Sequence, residues 1–329
     1  MNAVHICLFG LCLAANFVPL RAQDACTDKV RSGIVDLASE PKLSEGDIAI
    51  LQAAERDDLS LVQQALVKGA NVDALNTNGW SPLIFAAKAG NMAMVKTLVA
   101  KGADVNRRTS TDVGSTVLCF AVDRGDFSIV AYLLKHGANI NGKSRNGTTP
   151  LSHTAITGKI EAAKFLLDHG ADIELLGQID NKGSSYTPLM SAAYGGHVDL
   201  VKLFLAKGAK LDATNNNGDT ALMLVAKKPH SAVVKLLIER GANVNARLRR
   251  GHTALIYAAY NGHTENVRLL LAAGADPSLT ATDQRDPDAP YGRYTASDLA
   301  EGRGHNQIVA LIAEKRAAAA SKTADANSR

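Results

Sequence analysis

Three histidines recur at equal intervals along the chain, and histidine is the commonest metal ligand in proteins. His197, His230 and His263 are each separated by 33 residues. A spacing this regular indicates equivalent positions in successive structural units, and such positions on packed helices lie about 8 to 10 Å apart. A zinc ion needs nitrogen ligands about 2.0 to 2.1 Å away. We therefore interpret these histidines as structural and predict no metal site.

Motifs for nucleotide, redox or acyl-transfer chemistry are not found in the sequence. It has no glycine-rich phosphate loop after a strand, no Cys-x-x-Cys pair and no Gly-x-Ser-x-Gly sequence. Cys119 falls at a position that we expect to be buried, and a buried thiol is a poor nucleophile. The sequence therefore predicts a protein that is not an enzyme and that uses no cofactor and no small-molecule substrate.

A recurring phrase of Ser or Thr, Pro or Ala, and Leu organises the chain. The copies are Ser81-Pro82-Leu83, Thr149-Pro150-Leu151, Thr187-Pro188-Leu189, Thr220-Ala221-Leu222 and Thr253-Ala254-Leu255, of which the last three start 33 residues apart. Apolar residues at helical spacing follow each copy, such as Leu133 with Leu134. A Gly-Ala-Asx sequence then closes the unit, as at Gly102-Ala103-Asp104. This pattern predicts a pair of helices in each unit.

The residue types of the unit explain why it folds in this way. Ser or Thr caps the first helix, and Pro at the first helical position loses no needed hydrogen bond. Small Ala pairs, such as Ala86-Ala87, allow close approach of neighbouring helices, and Gly ends the second helix in a left-handed turn. One helix pair cannot bury its own apolar faces, so we expect the units to stack into a continuous core.

With these motifs the sequence resembles the ankyrin-repeat family, whose unit is a β-turn followed by two helices. The resemblance covers residues 46–315 and implies an all-α solenoid of about eight helix-turn-helix repeats joined by β-turn fingers. The copies begin near Gly46, Gly79, Gly114, Gly147, Ser185, Gly218, Gly251 and Arg293, and the first and last read as caps. Residues 23–45 are predicted to form an N-terminal lead, and residues 316–329 a flexible tail.

Several residues depart from the family pattern. The His that usually follows Thr-Pro-Leu is absent, with Ile84, Met190 and Ile256 among its replacements. Pro229 replaces the glycine between the helices of the sixth repeat, so we expect a reshaped turn and a local bend there. Five extra residues around 176–186 and nine around 283–293 lengthen two fingers, because the steps between threonine caps are 38 and 42 residues there. Such insertions commonly carry contacts.

The first 22 residues differ in character from the rest. A short apolar run, residues 6–15, is followed by Pro19 and a small residue, Ala22, which predicts a secretory signal peptide cleaved after Ala22. An uncleaved anchor is the alternative, although the run is shorter than the roughly 20 residues that span a bilayer. After cleavage Cys26 and Cys119 are left. We favour two unrelated free thiols, and the alternatives are that Cys26 pairs with Cys119 or with another chain.

The charge balance argues against nucleic acid as the partner. The whole chain has 36 basic and 32 acidic residues, and cleavage after Ala22 removes only Arg21. A mature net charge of about +3 is too small for an electrostatic footprint of the kind that nucleic-acid binding requires.

The resemblance implies that partners bind to the fingers and to the exposed face of the first helices. Residues of this chain at those positions are Trp80, Lys88, Arg108, Asp123, Arg124, Tyr186, Tyr194, Lys227, Lys228, Arg249, Arg250, His252, Tyr260 and Tyr294. All but Lys88, Asp123 and Arg124 are taken as candidate binding residues, since Trp, Tyr and Arg dominate interface hot spots. The alternatives are that the tyrosines pack against neighbouring fingers and that residues 247–250 form a solvated loop.

These observations together predict a non-enzymatic scaffold or inhibitor that binds a protein partner in an exported compartment, either periplasmic or outside the cell. The basic cluster between Lys227 and Arg250 favours a partner with an acidic surface. Two alternatives stay open. One is an accessory, chaperone-like factor that stabilises an exported enzyme, and the other is a protein whose basic fingers bind a polyanion or an acidic membrane surface.

Overall fold

The computed structural model describes residues 43–111, 114–178, 184–248, 250–282 and 292–327. The predicted signal peptide, nearly all of the N-terminal lead with Cys26, and the candidate residue Arg249 lie outside these described residues. Most of the second predicted insertion also lies outside them. The compact unit begins at Ser44.

The described residues form eight helix pairs in chain order, which confirms the predicted all-α repeat fold. The pairs are α1 (Glu45–Glu55) with α2 (Leu59–Val67), α3 (Pro82–Ala89) with α4 (Met92–Ala100), α5 (Val117–Arg124) with α6 (Phe127–Lys135), α7 (Pro150–Thr157) with α8 (Ile160–Asp168), α9 (Pro188–Tyr194) with α10 (Val198–Ala206), α11 (Ala221–Ala226) with α12 (Ser231–Glu239), α13 (Ala254–Tyr260) with α14 (Thr264–Ala272), and α15 (Ala296–Gly302) with α16 (Asn306–Asn327). We number the repeats one to eight after these pairs and call the first helix of each pair the inner helix.

Each inner helix from repeat two onward begins at the Ser or Thr that the sequence predicts as its cap. The side-chain oxygen accepts a hydrogen bond from the backbone N–H three residues later, at 3.1 to 3.4 Å. The capping residues are Ser81, Thr116, Thr149, Thr187, Thr220, Thr253 and Thr295. Because all but Thr295 are buried, losing a cap would leave a helix donor without a partner in the interior.

The core continues from repeat to repeat. Inner helices pack on inner helices of the next repeat, and outer helices pack on outer helices. One large apolar residue on each outer helix from repeat two to repeat seven is fully buried at this seam: Leu98, Leu133, Leu166, Phe204, Leu237 and Leu270. Full burial of such a side chain contributes about 1.5 to 3 kcal/mol. The stacked arrangement therefore supplies the burial that a single helix pair lacks.

Polar side chains also link consecutive repeats. At six junctions a side-chain oxygen near the end of one repeat accepts a hydrogen bond from a backbone N–H of the next, at 2.7 to 3.2 Å. The acceptors are Asp73, Asn106, Asn141, Glu174, Asp212 and Asn245. Asn106 makes a second link, because its Nδ2 donates to the carbonyl oxygen of Gly137 at 3.0 Å. These bonds fix the register of one repeat on the next.

The outer helices end at the predicted glycines. Gly102 and Gly137 have φ values of +89° and +90°. A Cβ atom added at either position would meet no atom within 4 Å. The left-handed backbone, and not a lack of space, therefore requires glycine there.

Short antiparallel hairpins lie at the two predicted insertions. In the finger before repeat five, β1 (Gly177–Gln178) pairs with β2 (Ser185–Tyr186). In the finger before repeat eight, β3 (Ala281–Thr282) pairs with β4 (Arg293–Tyr294). The insertions lengthen the fingers, as the sequence predicts, and hydrogen bonding between strands gives both fingers a defined base.

The last helix extends further than the predicted end of the solenoid. α16 runs to Asn327, into the segment 316–329 that the sequence predicts as a tail. Four consecutive alanines, residues 317–320, have the highest intrinsic helix propensity and explain the continuation. The flexibility of residues 316–329 stays a prediction.

We expect Asn106→Ala to lower the free energy of unfolding by about 1 kcal/mol or somewhat more, because it removes two hydrogen bonds across one junction. Urea denaturation followed by circular dichroism measures this change. The matched control is Asn78→Ala at an exposed finger position, for which we expect a change of less than about 0.5 kcal/mol. Equal changes in the two variants would contradict the stabilising role of the junction bonds.

Candidate functional site

The predicted binding residues separate into two groups along the stack. Trp80 and Arg108 belong to repeats two and three, whereas the tyrosines, lysines and His252 belong to repeats five to eight. Between the groups, Asp123 contacts the Nε2 of His153 at 3.2 Å and the Nζ of Lys159 at 2.7 Å. The Lys159 hydrogen bond, followed by the His153 bond, lowers the pKa of Asp123, so this carboxylate is held within its own network.

The first group is an aromatic cluster around the one tryptophan of the chain. The ring of Trp80 lies 5.0 Å from the rings of Phe85 and Phe120. The Nζ of Lys88 lies 4.7 Å from the Trp80 ring centroid. Arg108 is exposed on the adjacent finger. Trp80 is therefore half-buried. One part of its side chain packs between repeats two and three, and the other part is exposed to a partner.

In the region of the second group, three tyrosines of repeats five and seven are each covered by a cation. Lys228 Nζ lies 4.7 Å from the ring centroid of Tyr194, and Lys227 Nζ lies 4.1 Å from that of Tyr257. The guanidinium carbon of Arg303 lies 3.7 Å from the ring centroid of Tyr260. Cation–π contacts of this kind contribute about 0.5 to 1 kcal/mol at exposed sites.

We call the surface formed by Tyr194, Lys227, Lys228, His252, Tyr257, Tyr260 and Arg303 the aromatic–basic face. Its side chains come from four consecutive repeats. His252 stacks on Tyr257 with ring centroids 5.3 Å apart and planes inclined by 18°. The face therefore presents several rings whose positions are set by neighbouring repeats.

A cavity of about 310 Å³ opens in the aromatic–basic face. Its lining includes Lys227, His252, Tyr257, Tyr260 and Asn261. The cations over Tyr257 and Tyr260 already cover ring faces at which a cationic ligand would bind. The cavity is therefore better matched to an anionic or aromatic side chain than to a quaternary ammonium group.

Two predicted binding residues lie beneath the surface. Tyr186 is 8% exposed and Tyr294 is 2% exposed, because both belong to finger hairpins that pack on an inner helix. The ring of Tyr186 lies 6.1 Å from that of Tyr194, and the Tyr294 hydroxyl lies 2.9 Å from His252 Nε2. Their position is thus a correction to the sequence-based assignment: they support Tyr194 and His252 and offer little area of their own.

The turn at Pro229 places the two lysines of the face. α11 has six residues and ends at Ala226, with Lys227 as its C-cap, since Pro229 cannot adopt the positive φ of the glycines Gly90 and Gly125. The turn is therefore reshaped, as predicted. Asn266 of α14 is 1% exposed, and its Nδ2 donates to the Lys228 carbonyl oxygen at 2.7 Å. A buried side-chain amide of repeat seven thus donates a hydrogen bond to a backbone carbonyl oxygen at the reshaped turn of repeat six.

A buried carboxylate holds Lys227 in place. Asp219, which is 5% exposed, lies 3.0 Å from Lys227 Nζ. Its neighbour Asn215 donates an Nδ2 hydrogen bond to the same carboxylate at 3.4 Å. The lysine therefore bridges a fixed negative charge and the ring of Tyr257.

Sequence reasoning missed three aromatic residues and one arginine of these surfaces. Phe85, Phe120 and Tyr257 each follow the helix-capping Ser or Thr by four residues, so their shared position in the repeat was a usable signal. Arg303 follows Tyr260 by 43 residues. The step between the caps Thr253 and Thr295 is 42 residues, so Arg303 is the counterpart of Asn261, and no repeat position pointed to its contact with Tyr260.

The regularly spaced histidines begin outer helices, as the sequence predicts. His197, His230 and His263 occupy the N-cap positions of α10, α12 and α14. His197 and His263 contact carbonyl oxygens of the preceding repeat at 3.1 Å. Among the described residues, no three His, Cys, Asp or Glu side chains are placed to share a metal ion.

Cys119 is buried, in agreement with the expectation from its position in the repeat. Burial raises the pKa of its thiol above the usual value. A protonated thiol in the interior is a weak nucleophile.

Comparison with known families identifies the repeat. A family model for ankyrin repeats in three copies matches five overlapping segments, residues 27–109, 50–144, 107–177, 173–248 and 189–281. The chain belongs to the ankyrin-repeat family. The crystal structure of the human ASB11 ankyrin repeat domain is similar in fold, with a TM-score of 0.56 and 27% sequence identity, over 71% of this chain and 98% of that chain.

Related proteins carry the repeat in different settings. The putative palmitoyltransferase ZDHHC13 of Danio rerio is 31% identical over 61% of this chain and 30% of its own length. The probable 26S proteasome regulatory subunit p28 of Saccharomyces cerevisiae is 30% identical over 45% of this chain and 64% of its own length. The chain thus matches less than two thirds of the length of these relatives. Ankyrin arrays share extended surfaces that bind other proteins.

In the part of the chain that the structure describes, no helix combines the length and the apolar character that crossing a membrane requires.

We expect Lys227→Ala to lower the free energy of unfolding by about 1 to 3 kcal/mol, because it leaves the buried Asp219 carboxylate without its cation. The double variant Lys227→Ala/Asp219→Asn should be less destabilised than Lys227→Ala. Urea titrations of both variants measure the difference. If Asp219→Asn lowers the free energy of unfolding further, the loss of the Lys227–Asp219 ion pair does not explain the destabilisation of Lys227→Ala.

The pKa of His230 lies below its usual value, because burial and then the charges of Lys228, His197 and His263 disfavour its protonated form. The unfolded chain therefore binds the proton more readily than the folded chain. The contribution of neutral His230 to the free energy of unfolding is fully present above the unfolded pKa of about 6.5. It is lost as the pH falls toward the folded pKa. We expect unfolding free energies measured from pH 7.5 to 5 to fall less steeply for His230→Gln than for the wild type. Parallel pH profiles would count against this assignment.

Proposed function

We propose that this protein is a non-enzymatic scaffold that binds an acidic segment of a protein partner through the aromatic–basic face of repeats five to eight. The observation that carries the proposal is the row of three tyrosines, each beneath a cation from a neighbouring repeat. The fold supports this proposal, because stacked repeats provide a long surface for macromolecular partners. The proposed role requires no chemical step.

The chemistry of the face favours a partner that carries both carboxylates and apolar side chains. Tyrosine rings supply a large contact area at a low entropic cost. Their positions are set in advance by Lys227, Lys228 and Arg303, and such preorganisation lowers the cost of binding. The same cations can donate hydrogen bonds to partner carboxylates, which would give orientation and a faster association rate.

The proposed compartment is an exported one, periplasmic or outside the cell. The support is the apolar run at residues 6–15 with the small residue Ala22 at a suitable distance. The composition of residues 23–329, with two cysteines, is compatible with a fold that depends on packing and not on a disulfide framework.

We expect the variant Lys228→Ala/Tyr260→Ala to weaken partner binding about tenfold or more, because it removes one cation and one ring from the face. Partners are first captured by proximity crosslinking in the native compartment and identified by mass spectrometry. The affinity of the purified protein for the captured partner is then measured by isothermal titration calorimetry.

The matched control is Lys135→Ala/Tyr132→Ala, which removes the same two side-chain types from the outer helix α6. We expect it to retain wild-type affinity. Circular dichroism and urea denaturation of both variants establish that each is folded under the binding conditions. Equal affinities of the two variants would place the binding surface elsewhere on the protein.

A further inference from the structure

A second cavity lies between the fingers of repeats seven and eight and differs in chemistry from the one in the aromatic–basic face. Its volume is about 360 Å³. Three arginines and three hydroxyl-bearing residues line it: Arg247, Arg250, Arg293, Ser278, Thr280 and Thr282. Among the described residues that line it, none is Asp or Glu. Arginine and hydroxyl side chains therefore make up most of the lining that the structure describes.

Backbone contacts hold the two fingers close together around the cavity. Gly251 has a φ of +82°, and a Cβ atom added there would lie 2.4 Å from the Thr280 carbonyl oxygen. The backbone N–H of Thr282 donates to the Arg250 carbonyl oxygen at 2.9 Å. Only glycine permits this approach. The positions of the arginines are thus tied to one another through the main chain.

The arginine side chains enter the cavity from separate segments. Arg247 Nη2 donates to the Thr280 carbonyl oxygen at 3.0 Å, which anchors its guanidinium on the neighbouring finger. Arg293 pairs with Thr282 across the β3–β4 hairpin. Arg250 reaches the same cavity from the loop that precedes α13. Three guanidinium groups that line one cavity bring charged hydrogen-bond donors together from three segments of the chain.

We propose that this cavity binds a tetrahedral oxyanion of the phosphate type, either as free phosphate or as the phosphomonoester of a larger molecule. Guanidinium groups match phosphate oxygens with paired, charge-assisted hydrogen bonds. The Thr282 hydroxyl can supply a further donor at the same site, whereas the Ser278 hydroxyl donates to Asp276 at 2.6 Å. A carboxylate has two oxygens and one negative charge, so it uses this set of donors less completely. The site is distinct from the aromatic–basic face and does not depend on the proposed scaffold function.

The test is a titration of the full chain with inorganic phosphate at constant ionic strength. Chemical shifts of the Gly251 and Thr282 backbone amides report binding at the cavity. We expect saturable shifts in the wild type and an affinity about tenfold lower in Arg293→Gln and in Arg250→Gln. Arg293→Lys should also bind more weakly, since lysine lacks the paired donors of the guanidinium.

The control Arg268→Gln removes an arginine from the outer helix α14 and should leave the titration unchanged. Acetate at the same ionic strength should produce much smaller shifts. Absence of saturation in the wild type, or the same loss of affinity in Arg268→Gln and Arg293→Gln, would overturn the proposal. Spectra of the variants without phosphate establish that the fingers keep their fold.

Two further measurements distinguish the sources of the phosphate group. Binding of the chain to vesicles that contain phosphatidic acid, whose headgroup is a phosphomonoester, is compared with binding to phosphatidylcholine vesicles. Binding to the phosphatidic acid vesicles that inorganic phosphate displaces supports a lipid headgroup as the ligand. Saturable phosphate shifts without vesicle binding support a soluble phosphate. Absence of both contradicts the site.

Discussion

Burial of apolar side chains between repeats is the interaction on which the rest of this structure depends. A pair of short helices has two apolar faces and too little of its own surface to cover them. The fully buried residues at the seam, such as Leu133, Phe204 and Leu237, lie where neighbouring repeats meet. The caps and the hydrogen bonds across the junctions set the register, while the apolar seam supplies most of the stabilisation.

This stacking also makes the candidate binding surface, because no repeat contains it alone. The cation over Tyr257 comes from repeat six, and the cation over Tyr260 comes from repeat eight. Local departures from the repeat pattern serve the same surface. Pro229 shortens one inner helix, and Asn266 provides the hydrogen bond that the altered turn requires. A regular scaffold thus carries an irregular site at the positions where its sequence breaks the pattern.

The repeat architecture could be predicted from the sequence because its signals are local. A helix cap, an alanine pair and a terminating glycine lie within one unit, so their spacing fixes the helices and their order. The site was less accessible, because it depends on contacts between units. Tyr186 and Tyr294 lie directly before a helix cap, and the packing of each finger hairpin on an inner helix buries them. Arg303 was missed for a related reason, because its contact with Tyr260 joins two positions that are not equivalent in the repeat.

Native-state hydrogen exchange on the variant Leu237→Ala tests most directly whether stability is shared across junctions. Leu237 is fully buried in repeat six. Our account predicts faster exchange in the inner helices of repeats five, six and seven together, because each repeat relies on its neighbours for burial. Faster exchange confined to residues 221–239, with unchanged protection in the helices Pro188–Tyr194 and Ala254–Tyr260, would contradict it.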